Sequence, residues 1–318
     1  MSRVIDSHVH FFGRGFLPQG WFQPVAQKWS ASRYPPVERT ASDVESGLLD
    51  PDATLLVKEL SDAGVDAAVC LGLDWGVHLG PAEVDITEVH RTYGEMQKAL
   101  RGKFYAVGGV DPRRENAVEI ARSALEEDGL RGIKLYPPSG FLPGDERCFP
   151  IYELCSSLGK PVVFHTALIG YPHDASYANP LGVIKVQRAF PDLTIVLAHS
   201  GYSSWADEAI EVAAAHPHTY LELSNWNHDL HTDHGRERLL RVLAQMRGHV
   251  GAHRMLFGSD HLGGRRFSGG RSGMGAWRSF IAGLAGNPAF GKRPLTTDEI
   301  ALILGGNAER VFSLNEED

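Results

Sequence analysis

Four short apolar runs of this chain end in residue types that ligate metals. They are 3–10 (RVIDSHVH), 161–166 (PVVFHT), 193–201 (LTIVLAHSG) and 254–260 (RMLFGSD), and they deliver His8 and His10, His165, His199 and Asp260. Side chains alternate faces along a strand, so Asp6, His8 and His10 share one face. Two imidazoles one pleat apart can grip a single divalent cation. The runs lie far apart in the chain, and their polar ends meet at one point only if the strands that carry them close into a barrel. In an α/β barrel, site residues gather at the C-terminal strand ends.

Strand-like and helix-like segments alternate from end to end. Strands are expected over 3–9, 66–72, 104–110, 131–136, 161–165, 193–199, 218–224 and 254–259. They are short, rich in Val, Ile, Leu, Phe and Tyr, and apolar on both faces, as strands covered on both sides are. Amphipathic stretches fall between them, at 51–64, 84–101, 114–128, 148–159, 181–190, 205–215 and 236–248. In 114–128, Ala117, Ile120, Ala121, Ala124 and Leu125 form one stripe with charge opposite. A last helix over 297–312 is expected to start from a threonine cap with Glu299 in its first turn. Eight strands alternating with helices predict one α/β domain over 1–318, a (β/α)8 TIM barrel. The rival is an open doubly wound sheet, in which runs one and five need not approach each other.

Two segments break the rhythm. Residues 11–50 read as a long loop insertion after the first strand, with Phe11, Phe12, Trp21, Phe22, Trp29 and Tyr34 among Gly and Pro. Such a loop is either a lid over the site or a satellite cluster packed on the barrel. Residues 262–275 read as a flexible Gly/Arg-rich loop at the barrel mouth. Its Arg265, Arg266 and Arg271 are placed to receive a carboxylate or phosphate.

Composition excludes several classes. The chain has 318 residues and a formal charge of −8, so it lacks the basic footprint of a nucleic-acid binder. Cys70, Cys148 and Cys155 show no CxxC spacing; they fit small buried hydrophobes in a reducing compartment. No run of about 18 apolar residues exists to span a membrane. The first strand begins by residue 3 and leaves no room for a signal peptide, so a cytoplasmic protein is expected. The partner expected is a small molecule, possible homodimer formation being the common case for soluble oligomers.

A catalytic metal needs neutral imidazoles or carboxylates and an open position. His8, His10, His165 and Asp260 supply that set. The order His-x-His, His, His, Asp on runs one, five, six and eight resembles the amidohydrolase superfamily, and the ending LGGNAERVF (304–312) resembles the closing helix of its amidohydrolase-2 branch. The resemblance spans essentially the whole chain. It implies a metal-bearing barrel acting as a hydrolase of amides, lactones or esters or, in some members, as a non-oxidative decarboxylase. By position, His8 and His10 match the first-strand ligands, His165 the fifth-strand ligand, His199 the sixth-strand histidine and Asp260 the eighth-strand acid. Asp260 and His199 are then the catalytic candidates. Asp260 would take a proton from metal-activated water and pass it to the leaving group; His199 would polarise the scissile carbonyl or hold a second metal. Asp6 orients an imidazole or joins a buried salt bridge.

Lys134 (GIKLYP) has three readings: a carboxylated lysine bridging two metals, as the resemblance allows, an anchor for a substrate carboxylate, or the partner of a buried acid such as Glu222. The expected cofactor is one divalent ion, zinc first, with manganese and iron also suited to the ligand types; two ions are expected if Lys134 is carboxylated. Substrate contacts are expected at the rim from Trp75, Tyr136, Asn225 and Arg265, with Asp74, His78, Ser224 and His228 also in position. His228, His231 and His234 recur every three residues and read as a solvated loop rather than a metal site. Decarboxylases of the branch tend to follow the fifth-strand histidine with Pro-Trp. This chain has Thr166-Ala167 there, which tilts the expectation to hydrolysis.

Overall fold

The computed structural model describes residues 2–32, 34–267, 269 and 273–314. Eight parallel strands form one sheet in sequence order: β1 (Ile5–Val9), β2 (Ala67–Leu71), β3 (Phe104–Gly109), β4 (Ile133–Leu135), β5 (Val162–His165), β6 (Ile195–Ala198), β7 (Thr219–Glu222) and β8 (Met255–Leu256). Each falls inside its expected run. The seam between the last strand and the first is joined by backbone hydrogen bonds: Ser7 N to Phe257 O (2.9 Å), Asp260 N to His8 O (2.9 Å) and His10 N to His261 O (2.7 Å). The sheet thus curls into a barrel, and the open doubly wound alternative does not occur.

The α-helices are α1 (Gln19–Ala31), α2 (Ala41–Leu48), α3 (Thr54–Ala63), α4 (Gly76–Leu79), α5 (Ile86–Ala99), α6 (Ala117–Glu126), α7 (Phe149–Ser157), α8 (Ile184–Ala189), α9 (Ala206–Ala214), α10 (Asp233–His249), α11 (Gly264–Phe267), α12 (Met274–Ala282), α13 (Thr297–Ala301) and α14 (Asn307–Phe312). The stripe read in 114–128 is buried as expected, with Ala117, Ile120, Ala121, Ala124 and Leu125 facing the barrel on α6. The closing helix opens on a capping box: Thr296 accepts from Glu299 N and the Glu299 carboxylate accepts from Thr296 N. A π-turn (Leu302–Gly306) interrupts it. There Gly305 passes so close to β1 that a Cβ would lie 1.9 Å from Arg3 O, so only glycine fits.

Apolar side chains of Ile5, Tyr105, Val107, Val163, Val196 and Leu256 pack inside the barrel against Ala308 and Phe312 of α14. The closing helix thereby plugs the N-terminal end, and the C-terminal end is left for the site.

Residues 11–50 differ from the loop expected. Two helices form there, with Pro24 inside α1 and a Thr40–Asp43 capping box starting α2. Phe12, Leu17, Phe22, Val25, Val44 and Leu48 make a separate apolar cluster. It packs on Leu73, Trp75 and Tyr136, which follow β2 and β4 at the barrel mouth. Scattered aromatics among Gly and Pro hid the helical period. Within 262–275, Gly264–Phe267 is a short helix, and Arg271 lies outside the described residues. Among the described residues no helix is long and apolar enough to cross a membrane.

Candidate active site

One cavity of about 150 Å³ opens at the C-terminal strand ends. Its polar part is formed by His8, His10, Lys134, His165, His199 and Asp260; its walls include Phe12, Trp21, Trp75, Tyr136 and Leu168, with Asn225 at the edge. Every ligand-type residue read from the four apolar runs therefore lines one space. Trp75, Tyr136 and Asn225 line it as well. Arg265 does not: it is exposed on α11, outside the wall. Asp74 is held by the Arg114 guanidinium at 2.7 Å through both oxygens, and His78 bonds Pro172 O at 3.0 Å. His228, His231 and His234 are exposed and belong to no three-ligand set among the described residues.

The backbone aims these side chains. Between Asp6 and Val9 the pairing of β1 with β2 slips by one residue, since Asp6 faces Ala68 but Val9 faces Cys70. A slip of this kind re-aims neighbouring side chains. Here it leaves His8 Nε2 and His10 Nε2 only 3.3 Å apart. Non-glycine residues with left-handed backbone also concentrate at this end: His199 (φ 68), Ser200 (φ 46), Asn225 (φ 67) and Asp260 (φ 56). Such conformations carry strain that a site can use to point side chains inward.

Hydrogen-bond partners fix the ring nitrogens. His8 donates through Nδ1 to Glu222 Oε2 (2.8 Å), and His10 donates through Nδ1 to Leu71 O (2.8 Å), a carbonyl that can only accept. Each Nε2 therefore presents a lone pair. Both lone pairs meet Asp260 Oδ1, 3.5 Å from His8 and 3.2 Å from His10. Three lone pairs this close repel unless a positive charge sits among them. Two imidazoles and a carboxylate whose donor atoms lie within 4.8 Å of one another fit a divalent cation.

His165 sits differently from the fourth ligand expected. Its Nε2 donates to Ala167 O (3.0 Å), and its Nδ1 faces His199 Nε2 at 3.1 Å, where one shared proton satisfies both rings. His199 Nδ1 accepts from Asn225 Nδ2 (3.1 Å) and lies 2.7 Å from Ser224 Oγ, whose single proton goes to Glu222.

Glu222 ties the two halves together. Besides His8 Nδ1, its carboxylate accepts from His199 N (3.0 Å), Ser224 N (2.5 Å) and Ser224 Oγ (2.6 Å). Its oxygens are thus engaged, and of the three readings of Lys134 the one that hydrogen-bonds it to Glu222 does not occur. Lys134 Nζ is buried with no hydrogen-bond partner among the described residues. Asp6 orients backbone rather than an imidazole, accepting from His8 N (3.1 Å) and Ser259 N (3.0 Å).

Burial dominates the protonation states. It holds His8, His165 and His199 well below the ordinary histidine value, so their rings are neutral, as metal ligation or carbonyl polarisation requires. It pushes Glu222 and Asp6 each up to about 7 against their hydrogen bonds, and draws Lys134 down to about 8 against the pull of Glu222 and Asp260. For Asp260, burial works against the charge. The contact with His10, the His8 imidazole and the Lys134 ammonium outweigh it and hold the carboxyl below its usual range.

With this geometry in view, residues 5–314 match the family described as Amidohydrolase. The chain belongs to the amidohydrolase family, in its amidohydrolase-2 branch. Members of that branch are metal-dependent enzymes, and the fold implies a divalent metal. No curated protein matches this amidohydrolase by sequence. Solved structures do. An uncharacterized TIM-barrel protein of Bordetella bronchiseptica is 24% identical, with 98% of this chain and 99% of that one covered and a TM-score of 0.68. The 5-carboxyvanillate decarboxylase of Novosphingobium aromaticivorans, complexed with manganese and a nitrobenzoic acid, is 16% identical over 98% and 96% of the chains, TM-score 0.69. The 4-oxalomesaconate hydratase of Rhodopseudomonas palustris is 18% identical over 98% and 95%, TM-score 0.59. At these identities the likeness is one of fold.

Leu168 and Ile169 also line the cavity. Nothing in their sequence marks them except their place just after β5.

Proposed function

We propose that this amidohydrolase is a metal-dependent hydrolase that cleaves a small-molecule amide, lactone or ester, with His8, His10 and Asp260 holding the ion and Asp260 and His199 acting on the substrate. The observation that carries the reading is the setting of Asp260. One of its oxygens lies against both imidazoles, yet its side chain is 20% exposed where that of His8 is 1%. Held below its usual pKa, it is a carboxylate at neutral pH, able to take a proton from water and return it to the leaving group. A divalent ion held by this set would supply the lowered pKa of a bound water and the polarisation of a carbonyl. Zinc is the ion proposed; manganese suits the same donors. His199 is a neutral ring, fixed at Nδ1 by Asn225, which suits it to orient the scissile group. His165 buttresses it across their 3.1 Å contact.

A second reading, non-oxidative decarboxylation, has its own observation. Phe12, Trp21, Trp75, Tyr136 and Leu168 make the wall largely apolar, a surrounding that disfavours a free carboxylate. The decarboxylase and hydratase among the structural relatives are named for small carboxylic acids, which supports an acid as substrate under either reading.

The test is a panel of unsaturated and aromatic acids with their lactones, esters and amides, offered to zinc- and manganese-loaded protein. Hydrolysis without carbon dioxide release supports the first reading; carbon dioxide release without hydrolysis replaces it with the second. On the substrate found, Asp260→Asn is expected to lower turnover by about 10²- to 10⁴-fold while much of the metal stays bound. Near-normal turnover by that variant removes Asp260 from the chemistry.

A further inference from the structure

We infer that Lys134 remains an unmodified amine and anchors an anionic oxygen of the substrate at the polar floor of the cavity. The inference deepens the proposed function, resting on the reading of this cavity as a substrate site but not on which reaction runs there.

Lys134 is the middle residue of β4, in register with Gly109 of β3 and Val163 of β5. Tyr136, two residues on, shares its face, and both line the cavity. The residue is 2% exposed, and Nζ has no hydrogen-bond partner among the described residues. Glu222 is already engaged by His8, His199 and Ser224, and Asp260 makes no hydrogen bond to Lys134 among the described residues. A buried ammonium without a partner is costly, and an apolar side chain would fill the same space at no such cost. The donors of Lys134 are therefore available to something that enters the cavity.

Carboxylation would instead put a further anion beside Asp260 and Glu222, and two cations would be needed to offset it. Of the two ligand-type triads among the described residues, that of His8, His199 and Glu222 is already held by protons, with His8 Nδ1 and His199 N donating to Glu222. Lone pairs converge without a proton to share at His8, His10 and Asp260, whereas the contact of His165 with His199 is met by a single proton. Above Lys134 stand the rings of Tyr136, Trp75 and Trp21, with Trp75 centred 5.2 Å from Tyr136 and 5.4 Å from Trp21. A flat acid places its carboxylate on Nζ and its body among these rings.

The experiment is calorimetric titration of metal-loaded wild type and Lys134→Met with benzoate and with nitrobenzene, its neutral isostere. The wild type is expected to prefer benzoate by about tenfold or more, as a charge-assisted hydrogen bond implies. Lys134→Met is expected to lose that preference, to bind nitrobenzene within about twofold of wild type, and to keep its metal. Its Tm is expected at or above that of wild type, because a buried ammonium without a hydrogen-bond partner has been removed. If Lys134→Met is insoluble, Lys134→Gln must show the same loss of preference. Three results overturn the inference: no benzoate preference in the wild type, an undiminished preference in the variant, or a fall in Tm that marks Lys134 as structural. A carbamate carbon signal from labelled bicarbonate in the wild type alone, with metal lost in the variant, overturns it in favour of a bridged pair of ions. A failed hydrolysis assay with the preference intact contradicts only the proposed reaction.

Discussion

Glu222 shows what a single side chain does beneath this site. Its carboxylate receives four donors from His8, His199 and Ser224, and so sets which nitrogen of His8 faces the cavity. Partners of this kind orient a ligand and raise its basicity. Glu222→Gln turns one acceptor oxygen into a donor that faces other donors. Metal affinity is expected to fall by about 10- to 100-fold, read by competition with a chromophoric chelator; unchanged affinity would show that His8 needs no such support. Gly258 serves the same carboxylate, since a Cβ there would lie 2.1 Å from Glu222 Oε1 and 3.0 Å from His8 Cβ. Gly258→Ala is expected to destabilise the protein by about 1–3 kcal/mol in chemical denaturation and to loosen metal binding with it. A variant with wild-type stability and metal content would contradict this packing. The polar residues of the cavity were legible because polar groups at the ends of apolar runs stand out. The role of Glu222 was not, because His8, the ring it orients, comes from the first strand and meets the seventh only when the barrel closes.

Elements decide how the site is framed. All eight strands, and the amphipathic helices between them, followed from hydrophobic period. The 11–50 segment did not, because the apolar faces of α1 and α2 bury against the mouth of the barrel rather than against its flank. Phe22 is 3% exposed in that cluster. Phe22→Ala is expected to raise amide exchange across 19–48 while exchange in the barrel strands stays slow, as suits a separately opening unit. Uniform acceleration throughout would mean that the insertion and barrel open together. On the barrel flank, His90 of α5 donates through Nε2 to Gly109 O of β3 (3.0 Å). Burial holds it down to about 4, against an ordinary value of 6.5. The unfolded chain therefore binds this proton first as pH falls. The stability tied to His90 is complete above 6.5 and is lost as pH drops toward 4, by about 3 kcal/mol at 1.36 kcal/mol per pKa unit. Denaturant titrations of wild type and His90→Gln across that window isolate the contribution. Parallel pH profiles for the two would contradict it.

At the scale of the whole molecule, closure of the barrel makes the site. His8 on β1 and His10 just after it reach Asp260 after β8 only because the seam is joined by Ser7, Asp260 and His10 backbone bonds. The ligand types in strand order were enough to choose a closed barrel over an open sheet, since no open sheet brings those ends together. What the order left open was the partition of donors. His165 turned to His199 and away from the three-ligand set, a choice made by the carbonyl of Ala167 and beyond the reach of spacing. His8, His10 and Asp260 are proposed to hold the ion on which activity depends. Elemental analysis of wild type and His10→Ala, each purified without chelator and reloaded with zinc or manganese, tests this most directly. About one ion per wild-type chain is expected, the complement of a single three-ligand site with an open position, and almost none in His10→Ala. A wild type that takes up no metal, or a His10→Ala variant that keeps it, would contradict the claim.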